Sequence, residues 1–170
     1  MYVPRTRQAP ESRGRVMTAV RELLQEGVFH ESTVEQVAAR AGVSRATVYQ
    51  QFGSRLGLVD AICDSLDLSA IEAAPDLATL LQRTSDFWAR EEAPLSQLYD
   101  AAAVDPAARE FVERQTRDRY RHLPQWVDAP GVPILGLLTS FETYIELRRR
   151  ARLSQRQVVA HLQRAATELL

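Results

Sequence analysis

Three side chains in residues 45–51 have the right chemistry to read a base pair: Arg45, Gln50 and Gln51. A guanidinium can donate two parallel hydrogen bonds to guanine O6 and N7, and a carboxamide can pair with adenine N6 and N7. Each good bidentate contact discriminates against the wrong base by about 1–3 kcal/mol. Ala46, beside them, offers only contact with a thymine methyl. Thr33 and Ser44 stand where helices should begin, and the outward N–H groups of a helix start favour a phosphate.

Such side chains are useful only on a rigid outward face, and residues 32–55 supply the elements for one. Ser32 and Glu35 fit a capping box, which predicts a helix whose buried stripe is Val34, Val37, Ala38 and Ala41. Gly42 suits a tight turn and Val43 plugs the space behind it. Ser44 caps the next helix, which ends near Phe52. Some of Ala46, Val48, Tyr49 and Phe52 must face the core, leaving Arg45, Thr47, Gln50 and Gln51 outside. An earlier helix, about 12–26, buries Val16, Ala19, Val20, Leu23 and Leu24 and stops at Gly27. A later one, about 55–69, carries Leu58, Ile62 and Leu66. Two short helices about a glycine turn, flanked by two others, are the layout of a helix-turn-helix, whose second helix enters the DNA major groove.

Beyond Ala73 the pattern stays helical, with proline punctuation. Helices are expected at about 76–91, 94–103, 106–122, 133–151 and 154–169, the last opening on a Ser154–Gln157 capping box. No strand-like alternation interrupts them, so the expected fold class is all-α. The expected division is a three-helix DNA-binding domain, 8–54, followed by a helical ligand-binding and dimerisation domain, 55–170. The last two helices carry more apolar residues than one face can hold. Phe141, Tyr144, Ile145, Val158, Leu162, Ala166 and Leu169 are the expected self-association surface.

Charge follows the same division. Residues 1–15 hold Arg5, Arg7, Arg13 and Arg15 against Glu11 alone, whereas residues 61–170 hold 13 Arg against 16 acids. A basic arm suits phosphate attraction and an acidic body suits the side away from DNA. All 21 basic residues are Arg, so every cationic phosphate contact must come from Arg.

The stretch Glu26-Gly27-Val28-Phe29, Ser32-Thr33-Val34, Val37-Ala38-x-x-Ala41-Gly42-Val43-Ser44, Thr47-Val48-Tyr49-x-x-Phe52-x-Ser54-Arg55 and Leu58 resembles the TetR family of bacterial transcriptional regulators. The likeness covers residues 13–62 closely and the remainder in helix count and order. It implies that Thr47 and Tyr49 contact the DNA backbone, and that Arg55, where the family usually has Lys, clamps a phosphate. It also implies a homodimer, a palindromic double-stranded DNA operator and a small-molecule pocket in the C-terminal body. Phe87, Trp88, Tyr99, Phe111, Tyr120 and Phe141 are the aromatic candidates for that pocket. Gln50 and Gln51 depart from the family, whose members often have aromatic or His residues there.

Other chemistries find little footing. His30, His122 and His161 are far apart, and no pair has ligand spacing, so neither a metal nor another cofactor is expected. Glu91 and Glu92 are adjacent and so point in different directions from a helix. No catalytic motif appears, and an enzyme is not expected. No segment approaches a membrane span or a secretory signal, and Cys63 is single, which fits a cytoplasmic protein. The expected function is a DNA-binding regulator, a repressor released by ligand. The alternatives are an effector-independent DNA-binding or architectural protein, or an enzyme fused to a DNA-binding head.

Overall fold

The computed structural model describes residues 5–104 and 106–170. Side chains of residues 1–9, including Arg5 and Arg7 of the basic arm, lie outside the description, as do those of His30 and Cys63. The helices are α1 (Arg5–Gln25), α2 (Val34–Ala41), α3 (Arg45–Phe52), α4 (Arg55–Asp64), α5 (Ser69–Glu72), α6 (Leu77–Arg90), α7 (Glu92–Ala102), α8 (Pro106–His122), α9 (Val132–Leu138), α10 (Phe141–Ile145) and α11 (Gln155–Leu169). Among the described residues there is no strand, and the fold is all-α.

The chain forms two compact units. The first runs through Leu66 and adds Ala93–Val112; the second comprises Asp67–Glu92 and Glu113–Leu170. The first unit thus continues past the expected boundary at 54/55. Leu58 and Ile62 of α4 are buried in the same core as Val16, Val20, Val37 and Val48. The break at Gly53 and Ser54 ends a helix without ending the core. α4 also stops sooner than expected, at Asp64. There Ser65 turns back on the Ile62 carbonyl through both its N–H and its hydroxyl.

Two local rules hold the first unit in shape. Gly42 ends α2 at φ 63°, a left-handed conformation that a side chain disfavours, and so turns the chain towards α3. Gly57 allows a close approach: a Cβ there would stand 1.9 Å from the Phe52 carbonyl oxygen. α1 begins at Arg5, ahead of the expected Ser12, with Pro10 inside it. The apolar pattern starts only at Val16, so nothing in it marks those first turns. The cap of α2 is also one residue later than expected. Thr33, not Ser32, is the N-cap, and it exchanges hydrogen bonds with Gln36. Ser32 is buried and donates its hydroxyl to the Val28 carbonyl at 2.8 Å.

In the second unit α6 packs against α11. α6 buries Leu80, Leu81 and Phe87, and α11 buries Val158, Val159, Leu162 and Ala166. Ser154 and Gln157 form the expected capping box at the start of α11. The single helix expected over 133–151 is broken. α9 ends at Leu138, Thr139 bonds back to the Leu135 carbonyl, and Ser140 caps a new helix by accepting from Thr143 N–H at 3.1 Å. A wide turn over Glu146–Arg150 completes the segment.

This packing changes the reading of the self-association residues. Phe141, Tyr144, Val158, Leu162 and Ala166 are all buried in the single chain. They fill its core and have no surface to offer a second chain. Ile145 is half-buried, and Leu169 is exposed, with Leu137 and Leu170.

Candidate nucleic-acid interface

α3 is positioned from its start. The Ser44 hydroxyl accepts from Thr47 N–H at 3.0 Å and shares a 2.8 Å hydrogen bond with the Thr47 hydroxyl. One side chain of α3, Val48, is buried. Phe52 is half-buried against the core beneath it. The opposite face presents Arg45, Ala46, Tyr49 and Gln50 to solvent. A short helix with one buried anchor and four exposed neighbours is well suited to enter a groove.

The C-terminal end of α3 is fastened by α1. The Arg13 guanidinium donates to the Gln51 carbonyl at 3.3 Å and lies 4.6 Å from the centre of the Phe52 ring. The Gln51 carboxamide donates to the buried Ser12 hydroxyl at 2.6 Å. Gln51 therefore faces α1 and not the outer surface, and of the two adjacent glutamines Gln50 alone points outward. Arg55 is likewise engaged within the unit. Its guanidinium donates to the Phe29 carbonyl at 2.5 Å and stands 4.8 Å from the Phe29 ring centre. The expected phosphate clamp here fastens the start of α4 to the turn after α1.

Arg45 has partners of its own. It forms an ion pair with Glu35 at 2.6 Å and lies 5.2 Å from the centre of the Tyr49 ring. The Tyr49 hydroxyl, then the Glu35 carboxylate, raise its pKa above the ordinary guanidinium value. Arg40 pairs with Glu26 at 2.7 Å between α2 and the end of α1. Sequence reasoning missed Ser12, Arg13 and Glu35. Ser12 and Arg13 lie 38–39 residues from their partner Gln51, beyond the reach of helical periodicity.

The expected pocket aromatics divide between the units. Tyr99 and Phe111 belong to the first; Phe87, Trp88, Tyr120 and Phe141 belong to the second. In the second, Trp88 meets Phe87 and Phe141 edge-on, with ring centroids 4.9 and 5.5 Å apart, and its indole N–H donates to the Thr139 carbonyl. Tyr120 lies over Gly136, where a Cβ would meet its ring at 2.3 Å. Among the described residues, no three His, Cys, Asp or Glu side chains are grouped to hold a metal ion. Nor is any described helix long and apolar enough to cross a membrane.

Two short capped helices about a glycine turn, the second with an exposed polar face, have the layout of a helix-turn-helix. Residues 16–62 match the bacterial regulatory proteins of the tetR family. The fold is similar to the crystal structure of a candidate transcriptional regulator from Streptomyces coelicolor A3(2). That likeness has a TM-score of 0.69 and 21% identity, and covers 93% of this chain and 99% of the other. No curated protein sequence is significantly similar to the chain.

Proposed function

We propose that this protein acts in the cytoplasm as a homodimeric repressor on a palindromic operator and is released by a small molecule. The observation that carries the DNA-reading part is the exposed face of α3, with Arg45, Ala46, Tyr49 and Gln50 outward and Val48 inward. Arg45 and Gln50 carry the hydrogen-bonding groups for base edges; Thr33, Ser44 and Thr47 lie at helix starts suited to phosphate, and Tyr49 adds an exposed hydroxyl further along α3. Gln51 and Arg55 act behind them by holding α3 and α4 in place. Two copies would read half-sites about 34–36 Å apart, or a multiple of that.

Exposed Leu137, Leu169 and Leu170 on the second unit support self-association. The effector reading rests on the same unit. The Thr84 hydroxyl and the Gln155 side-chain oxygen are buried without a hydrogen bond among the described residues. Buried polar atoms ordinarily have partners, and a bound molecule with a donor and an acceptor would provide them. Phe87, Trp88, Tyr120 and Phe141 would supply its apolar wall. Release follows only if the molecule binds the DNA-free arrangement more tightly than the DNA-bound one.

Selection of bound duplexes from a random pool tests the reading. An enriched inverted repeat, bound by two chains in sedimentation, is the expected result. A pool that stays random after selection overturns it.

A further inference from the structure

Arg45 does not project from α3 as an unattached cation. Its Nη1 pairs with Glu35 Oε1 at 2.6 Å, and its Nη2 donates to the Tyr49 hydroxyl at 3.5 Å. Glu35 stands on another helix, in the first turn of α2, where the helix dipole favours a carboxylate. Both side chains are more than half exposed, at 60% for Arg45 and 51% for Glu35. Water screens such a pair, so it adds little to folding. A carboxylate beside the reading helix also repels phosphate on every DNA sequence. The dipole accounts for a carboxylate in this turn, but neither it nor general DNA affinity accounts for its pairing with Arg45. What the pair does is aim the guanidinium and give it a competing partner.

We propose that Glu35 sets sequence preference by acting on Arg45. This rests on the assignment of α3 as the DNA-reading helix. A guanidinium has five N–H donors; Glu35 and Tyr49 occupy two, and three remain. A phosphate that draws Arg45 away replaces one ion pair by another and gains little. A guanine edge can engage the remaining donors while the Glu35 contact persists. Glu35 therefore disfavours contacts common to all DNA more than the contact that distinguishes one base pair. It is a positioning residue, reaching the base only through Arg45.

The test uses the full chain as wild type, Glu35→Gln, Arg45→Ala and the double variant. Binding is measured to the selected operator, to operators altered at single base pairs, and to random duplex, across a range of salt. Glu35→Gln is expected to bind random duplex more tightly and to steepen the salt dependence by about one phosphate contact. Its preference at the base pair read by Arg45 should fall roughly tenfold. In the Arg45→Ala background the same change should leave that preference where it was. Unchanged preference in Glu35→Gln, or an equal loss with and without Arg45, overturns the proposal. If Glu35→Gln does not fold, Glu35→Asp keeps the charge with a shorter reach. It should lose preference without gaining random-duplex affinity, and unchanged preference there overturns the proposal equally. A wild type that enriches no motif refutes the DNA-reading assignment itself. That result is distinct from a motif that Glu35→Gln leaves intact.

Discussion

α3 and α11 begin in the same way and are held in opposite ways. Each opens on a serine whose hydroxyl accepts from the backbone N–H three residues on, Ser44 from Thr47 and Ser154 from Gln157. α11 then buries four side chains along 15 residues, whereas α3 buries one along eight. α11 is fixed by what it buries. α3 is fixed mostly by its neighbours: its own cap at one end, Arg13 and Ser12 of α1 at the other. A helix that must present its side chains to another molecule cannot also bury them, so its anchoring passes to its ends.

The sharpest way to break this contrast is to cut into each helix in turn. Leu162→Ala on α11 should destabilise the protein by about 2–5 kcal/mol in urea unfolding, while the folded fraction keeps its operator preference. Gln50→Ala on α3 should do the reverse. Unfolding should stay within about 0.5 kcal/mol of wild type, and discrimination at one base pair should fall by about 1–3 kcal/mol. If Gln50→Ala unfolds the protein as Leu162→Ala does, α3 is a core helix and the contrast fails. Ser44→Ala sharpens the role of the ends. It should lower stability by about 1 kcal/mol and weaken operator binding at the same time.

The smallest effect concerns another cap. Asp76 starts α6, and its bond from the Thr79 backbone N–H, then that from the Thr79 side chain, hold its pKa below the ordinary carboxylate value. A depressed pKa in the folded state stabilises the protein above the unfolded value, about 3.9. That contribution disappears as pH falls through the folded value. Acid unfolding of Asp76→Asn, which keeps the cap but cannot titrate, should lack this component below about pH 4.

The head was legible in the sequence because its rules are local. The turn at Gly42, the cap at Ser44 and the end of α3 at Phe52 each follow from a few neighbouring residues. Local rules failed where two registers were equally good. Ser32 with Glu35 and Thr33 with Gln36 both fit a capping box, and only the turn after α1, which buries Ser32, decides between them. They failed again at Thr139 and Ser140, where neither Gly nor Pro marks the break and apolar residues continue on both sides. The directions of Gln51 and Arg55 were not legible for a different reason. Their directions are set by Ser12 and Phe29, on elements far away in the chain. An apolar stripe such as that of α11 does not say whether its cover comes from the same chain or a second one. The structure assigns Tyr144, Val158 and Leu162 to the protein's own core.

Gly57 bears on how such a head could change over generations. With a Cβ position 1.9 Å from the Phe52 carbonyl oxygen, α4 lies against backbone at the end of α3, and no side chain separates them. The junction between the two helices is therefore independent of which residues occupy the outer face. If α3 reads DNA as proposed, Ala46 and Gln50 can drift to other identities, and with them the preferred sequence, while the scaffold beneath stays the same. Gly57 has no such latitude, since every other amino acid would bring a Cβ to that carbonyl. A lineage could acquire new binding sites by substitutions on α3 alone, provided this glycine is retained.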